Sequence, residues 1–503
     1  MIEQILAAID LRFIFLVFVG AFAGLVVGAM PGLSVTMATA ILVSVTFTWT
    51  VNDAMALMMG VYVVGVFSGA ISAILINIPG APASVATTLD GFPMTMKGQA
   101  RKALRVATVY SFVGTLFGLI MLALLAKPVT KIALQFSPMD YFLLALFGLT
   151  TVGSLTSKNF LKGLISATLG VIISLIGIDP IMGTPRFTFG SMKLQAGISL
   201  IAALIGLFGF SEILVQIGQR SLQPIAGKLG KEKVGFRQLM RHIPLSLQSA
   251  VIGTFIGALP GTGGPVASLI AYDQAKKTVR KPEVPFGEGA VEGIVASESA
   301  NNACIGGALI PMLTLAVPGD AVTAVLLSAM YVHGLRPGPL LFTQTPDLFY
   351  VILAAGIIGS LSIIALGIGV APLMARMVLI PKKILLPVVA ILCIIGAYAI
   401  NSSVFDILIM AIFGLIGFVM RRKGYSVAPM VLGIVLGSLM DANFRRAVSL
   451  ASAGDNLIIS MFSRPISIIL IVFILISLFS NFKFVKTGVR KLFSGRSDKG
   501  KEN

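Results

Sequence analysis

The feature that most limits what this chain can fold into is a set of long runs without a single charged residue. They include Phe13 to Asn52, Ala54 to Leu89, Val106 to Ala126, His242 to Tyr272, Leu348 to Ala375, Ile384 to Phe405 and Pro465 to Phe482. About 20 apolar residues cross a bilayer as a helix, so several of these runs must fold back or hold two elements. The runs lack the alternation that the ten-residue strands of a membrane barrel require. With 503 residues, 56% hydrophobic and only 12% charged, the chain reads as an all-α polytopic membrane protein whose lasting partner is a lipid bilayer. About twelve transmembrane helices are expected, with broken or re-entrant helices among them.

Charge is concentrated rather than spread. The 38 Lys and Arg against 20 Asp and Glu gather in short connections at 97–105, 220–241, 276–281, 381–383 and 421–423, and in the tail after Asn481. Basic loops stay on the cytoplasmic side, which puts the C-terminus inside. No soluble basic domain exists to bind nucleic acid. Glu3 and Asp10 stand where a cleavable signal would carry basic residues, so the first span is expected to remain. Cys304 and Cys393 lie in apolar segments and suggest neither a disulfide framework nor a four-ligand metal site.

The basic connection at 220–241 divides the chain into a first membrane half, 1–219, and a second, 242–482, followed by a basic cytoplasmic tail at 483–503. Each half repeats two words. Gly24, Gly28, Pro31 and Gly32 spell GxxxGxxPG, and Gly253, Gly257, Pro260 and Gly261 spell it again 229 residues later. "INIPGAPAS" at 76–84 and "LAVPGDAVT" at 315–323 form a second pair, displaced by 239. The difference fits an insertion at the polar loop 276–288, and the paired order implies two internal repeats.

A Pro-Gly word inside an apolar run stops a helix where lipid cannot satisfy the freed backbone groups. Such breaks persist only against protein or a water-filled cavity. Proline suits the first turn of the resuming helix, and glycine lets a ligand approach the backbone. The product is a helix N-terminus at membrane depth that attracts anions through dipole and N–H groups. The plainer alternative is that GxxxG words pack helices and prolines kink them. Neighbouring polar residues, Thr36 and Thr323 among them, favour a substrate cavity. Its candidate lining in the first half is Pro31, Gly32, Leu33, Ser34, Asn77, Pro79, Gly80, Ala81 and Ser84. In the second half it is Pro260, Gly261, Thr262, Gly263, Gly264, Pro318 and Gly319. Duplicated broken helices near the midplane are the recurrent plan of secondary transporters.

"ASESANNA" spaces Glu298, Asn301 and Asn302 at i, i+3 and i+4, on one helical face. An ionisable group inside a span is a functional candidate. Its carboxylate and amide oxygens are hard ligands suited to sodium, or the carboxylate alone carries a proton. The alternative is that the three groups tie helices together. Asp90 and Asp320 follow Pro-Gly words and are candidates for ion coupling or for helix capping. His242 and His333 are too far apart to argue a metal site. No P-loop, nucleophile elbow or HExxH word is present, so no enzyme is expected. An uncoupled anion channel and a membrane-embedded hydrolase using a serine or Cys304 with His333 are the remaining alternatives.

With these words on the page, the chain resembles the large membrane subunit of the tripartite tricarboxylate transporters. The resemblance runs from "GAMPGLSVTMATAILV" through "SGAISAILINIPGAPASVATTLDGFP" and "ANNACIGGALIPMLTLAVPGDAVTAVLLSAMYVHGLRPGPLLF" to "LGSLMDANFRRAVSLASAGD". It departs from the family's usual residues at Ser68, Ala81 and Asp441. The resemblance implies a permease in the bacterial cytoplasmic membrane that takes up tricarboxylates or related carboxylates. It also implies a small membrane subunit and a periplasmic solute-binding protein as partners, a sodium or proton gradient as driving force, and no cofactor.

Overall fold

The computed structural model describes residues 2–30, 32–155, 160–179, 182–218, 235–369, 382–452 and 461–479. Pro31, most of the 220–241 connection and the 483–503 tail lie outside the described residues. As the apolar runs demand, the described chain is helical, apart from one small antiparallel hairpin pairing Gly177 with Arg186 and Ile178 with Pro185. Six described helices are long and apolar enough to cross a membrane, and six more are apolar but only 10–17 residues long. Pro-Gly words divide several of the runs into pieces shorter than a bilayer.

Two broken units position everything that follows. The first comprises α1 (Leu11–Ala29), α2 (Val35–Thr46), α3 (Val51–Ile76) and α4 (Val85–Met96), and it leads into α5 (Ala100–Ala133). Beyond α6 (Pro138–Leu155), α7 (Phe160–Ser174) and α8 (Leu200–Ile217) comes the second unit. It comprises α9 (Ile243–Ala258), α10 (Gly263–Thr278), α11 (Val291–Leu315) and α12 (Ala321–Val332). Helices α13 (Pro346–Gly369), α14 (Lys382–Ala399), α15 (Val404–Arg422), α16 (Ala428–Ser452) and α17 (Pro465–Phe479) complete the fold.

Glycine sets the helix contacts. Gly20, Gly24 and Gly28 of α1 press on Leu57, Val61 and Gly65 of α3, and Gly253 and Gly257 of α9 press on Ala300 and Cys304 of α11. A Cβ at any of these positions would strike a carbonyl oxygen. Backbones approach this closely in membrane helix pairs because dispersion contacts, not water exclusion, hold them together. Within each pair the residue numbers rise together, so the helices are parallel.

The ends of the units are pinned by charge. Arg12 pairs with Asp53 at 2.7 Å, which joins the start of α1 to the start of α3. Helix α2 therefore returns toward the end from which α1 set out. Arg241 faces Glu283 at 3.5 Å, so α9 and α10 likewise fold back on each other. Thr95 Oγ1 donates to the Ile74 carbonyl at 2.7 Å, and Lys97 Nζ to the Glu288 carbonyl at 2.7 Å. These bonds bring the ends of α3 and α4 to the beginning of α11, so α3 and α11 run in opposite directions. Gly114 and Gly118 of α5 lie on Ser299 and Ala303, placing α5 parallel to α11 on its other flank.

Burial ranks the helices. The apolar window of α3 is 94% buried, against 39% for α1, and every residue of α11 from Val291 to Thr314 is buried. The core helices are thus α3 and α11, while α1 presents Phe15, Phe18 and Phe22 outward. A second apolar cluster joins α6, α16 and α17 around Leu143, Leu436 and Leu470. There Asp140 is held by Arg464 at 3.3 Å and by the Ser467 hydroxyl.

Candidate functional site

The four breaks differ in how the resuming helix begins. Ser34 caps α2, its Oγ accepting from Met37 N at 3.1 Å. Asp320 caps α12 in a reciprocal capping box: Oδ1 accepts from Thr323 N at 2.7 Å, and Thr323 Oγ1 accepts from Asp320 N at 2.9 Å. Ahead of α4 stands a 3₁₀ turn, Pro82–Ser84, and neither turn nor helix has a side-chain cap. Helix α10 begins at Gly263, again without a side-chain cap from Thr262. Two closed starts and two uncapped ones result. The first N–H groups of a helix have no partner within it, so an uncapped start keeps its anion-binding capacity.

The two uncapped starts lie side by side although they come from different units. A Cβ built on Gly264 would sit 3.2 Å from Ala83 Cβ, and Ser268 Oγ donates to the Ala83 carbonyl at 2.9 Å. The same Gly264 abuts the side-chain oxygen of Asn301. Asn301 is 2% exposed, and neither Nδ2 nor Oδ1 has a hydrogen-bond partner. Ser84, fully buried, likewise has an unpartnered Oγ, which lies against Gly69. Each such group costs about 1–3 kcal/mol when buried unsatisfied. Gly263 and Gly261, both at positive φ, shape the turn, and a Cβ on Gly263 would come within 3.3 Å of Asp320 Cβ. Thr151 Oγ1, from α6, donates to the Pro260 carbonyl at 3.0 Å and secures the break from outside the unit.

Glu298 faces elsewhere. It is fully buried, and Oε1 accepts from Thr87 Oγ1 at 2.5 Å. Oε2 accepts from Ser111 Oγ at 2.9 Å and Asn302 Nδ2 at 3.3 Å. Asn302 Nδ2 also reaches Ser111 Oγ and the Glu298 carbonyl, both at 2.9 Å, while its Oδ1 is buried without a partner. The spacing grouped Glu298 with both asparagines. The helix brings Glu298 and Asn302 together toward α4 and α5, whereas Asn301, 100° from Asn302 at one residue's rotation, looks toward α10.

The remaining candidates are placed as follows. Asp90 accepts at Oδ1 from the backbone N–H groups of Gly287, Gly289 and Ala290 at 2.8, 2.9 and 2.8 Å, and at Oδ2 from Tyr272 Oη at 2.8 Å. These bonds tie the loop ahead of α11 to α4, a structural task. Asp320 receives Tyr62 Oη at 2.7 Å as well as its capping bonds. Thr262 Oγ1 donates to the Ile256 carbonyl, and to that of Leu259 at 3.1 Å, stapling its own break. Gly32, at φ 91°, lies against the Gln216 side chain, with Leu33 buried beside it. Asn77 ends α3 in the left-handed conformation with its side chain exposed, and Ala316 ends α11 in the same way. Pro79, Gly80, Ala81, Pro318 and Gly319 form the connecting backbone: a Cβ on Gly80 would meet the Gly28 carbonyl, and one on Gly319 that of Gly257.

Sequence reasoning missed Thr87, Ser111, Tyr62, Gln216 and Thr151. Each is a polar group within a largely apolar helix, and in lipid such a group needs a partner. That need is the signal that could have marked them, though not which partner it finds.

A chain with six described helices long and apolar enough to cross a membrane, and with broken helices that meet at buried polar groups, is by fold a multi-pass membrane protein. The chain belongs to the Tripartite tricarboxylate transporter TctA family, which residues 14–432 match. It is similar to an uncharacterized 52.8 kDa protein of the TAR-I ttuC' 3' region of Agrobacterium vitis, 35% identical over 445 residues, 88% of each chain. A protein of the TAR-II ttuC' 3' region of the same organism is 39% identical over 203 residues, 40% of this chain and 83% of that one. No solved structure matches the chain significantly.

Proposed function

We propose that this chain is the large permease subunit of a secondary transporter that carries tricarboxylates or related carboxylates across the bacterial cytoplasmic membrane. A periplasmic binding protein delivers the substrate, a small membrane subunit completes the complex, and a sodium or proton gradient drives uptake. The observation that carries this reading is the meeting of two uncapped helix starts, at Ala83 and Gly264, beside the buried Asn301. Backbone N–H groups there suit a carboxylate better than a buried cation does, because no charge has to be desolvated in the empty site.

The two broken units act as inverted repeats. Support comes from matched contacts: Gly24 on Val61 and Gly28 on Gly65 in the first, Gly253 on Ala300 and Gly257 on Cys304 in the second. The positions correspond with the same displacements as the sequence words, and α3 and α11 run oppositely. Glu298 serves the cation. It is buried with only neutral donors around it, and a carboxylate in that setting is stabilised by a proton or a hard cation. Thr87 and Ser111 hydroxyls and the Asn302 amide oxygen supply further oxygen ligands of the kind sodium prefers. Asp90 and Asp320 hold structure rather than ions.

The test is uptake of labelled citrate and a panel of dicarboxylates into vesicles containing both membrane subunits with added binding protein. Sodium and proton gradients are imposed separately. Accumulation of unaltered substrate above the external concentration is expected under one gradient, and much less with this chain alone. Equilibration without accumulation would establish an uncoupled channel instead.

A further inference from the structure

We infer that Asn301 belongs to the substrate and not to the cation: its side-chain amide donates to a carboxylate of the carried molecule, between the uncapped starts of α10 and of the Pro82–Ser84 turn. The inference rests on the reading of the chain as a carboxylate carrier and deepens it. Its basis is the divergence of two neighbouring asparagines on one helix. Asn302 is engaged by Glu298 and Ser111, while Asn301 turns away from both and lies against Gly264. Nothing in the described chain uses either polar atom of Asn301, and it is 2% exposed.

A buried amide with two unused polar atoms is costly, so a ligand that pairs with it gains by relieving that cost. The helix starts beside Asn301 favour an anion, and the nearby Asp320 spends its carboxylate on the α12 cap and the Tyr62 hydroxyl. Gly264 belongs to the first turn of α10, where N–H groups point out of the helix, and the backbone of Ala83 opens a second helix start beside it. Among the described residues no carboxylate hydrogen-bonds the Asn301 amide. With Oδ1 against Gly264, the Asn301 Nδ2 group is left without an acceptor, and an oxygen of an ionised carboxylate supplies one. The contact with Gly264 leaves no room there for a substrate, so binding requires α10 to shift off Asn301, and Gly264 must be small for the resting contact to form.

The deciding experiment uses the complete transporter in proteoliposomes and compares Asn301→Ala and Asn301→Asp with wild type. Initial uptake is measured against carboxylate concentration and, separately, against the driving cation. Removing one neutral donor from a charged acceptor predicts a half-saturating substrate concentration about tenfold to a hundredfold higher for Asn301→Ala. For Asn301→Asp, isosteric but negative, the rise is larger still. The half-saturating cation concentration stays within twofold of wild type in both. Tighter cation dependence in Asn301→Asp with unchanged substrate affinity would overturn the inference, since a cation ligand gains from a carboxylate. Unchanged kinetics in both variants would overturn it too. If a variant inserts but does not transport, protection of its melting temperature by citrate is read instead, and protection equal to wild type counts against the inference. Failure of wild type to take up any carboxylate sinks the carrier reading itself and is thereby distinguished from failure of the role given to Asn301.

Discussion

At Thr262 the hydroxyl is already engaged by the carbonyls of Ile256 and Leu259, so it shapes the break instead of greeting a substrate. Thr262→Val should lower the melting temperature of the purified protein, by the equivalent of about 1 kcal/mol for one hydrogen bond, and leave half-saturation for substrate unchanged. Glu298→Gln should do the reverse. Without the charge, the amide oxygen can still accept from Ser111 and Asn302 while the amide N–H faces Thr87, whose hydroxyl has Ser297 Oγ at 3.2 Å as another acceptor, so the fold persists, but uptake should lose its steepness against cation concentration while the order of preferred carboxylates stays as in wild type. Uptake curves across a cation series separate these outcomes, and an unaltered cation dependence would remove Glu298 from the coupling role. At this scale the sequence is half transparent. Glu298 and Asn301 were visible as polar residues in an apolar run, because burial makes them expensive. Their separation into two environments was not visible, since helical spacing places i, i+3 and i+4 on one broad face and says nothing of which neighbour packs on which edge of it. Thr87 and Ser111, the donors to Glu298, come from other helices altogether, and no local pattern could name them.

The elements give the glycines of the Pro-Gly words two kinds of neighbour. Gly24, Gly28, Gly253 and Gly257 seat one helix on another, which is the packing interpretation. The glycines that follow, Gly263 and Gly264, stand against polar side chains, Asp320 and Asn301. Position relative to proline divides the roles: before it the helix still continues and must pack, after it the backbone turns and exposes N–H groups. The cap at Asp320 was open as an alternative to ion coupling, Ser34 had been read as cavity lining and instead caps α2, and the missing caps of α4 and α10 gained meaning only from their adjacency. Asp90 acts at the same scale. Its one carboxylate gathers three backbone N–H groups of the loop at 287–290 and the Tyr272 hydroxyl. Asp90→Ala abandons buried donors that each cost about 1–3 kcal/mol unpaired, so the loop should open. Faster trypsin cleavage within the basic stretch 276–281 of the detergent-purified variant is expected. Cleavage at the wild-type rate would mean that the loop is held by other contacts.

For the molecule as a whole, the opposed directions of α3 and α11 have a consequence that can be measured in intact cells. The start of α1 and α3 is pinned by Arg12 and Asp53, and the start of α9 and α11 by Arg241, Glu283 and Lys97. If the two units are inverted repeats, these two sets of starts lie on opposite membrane faces. The basic residues of 97–105 and 276–281 then mark the second set as cytoplasmic. Asn52, exposed beside the first set, therefore faces the periplasm, and Lys281, exposed beside the second, faces the cytoplasm. The native Cys304 and Cys393 are buried, which gives a quiet background for single-cysteine labelling. A membrane-impermeant maleimide should label Asn52→Cys in spheroplasts and should reach Lys281→Cys only after permeabilisation. Labelling of both from one side would contradict the inverted arrangement.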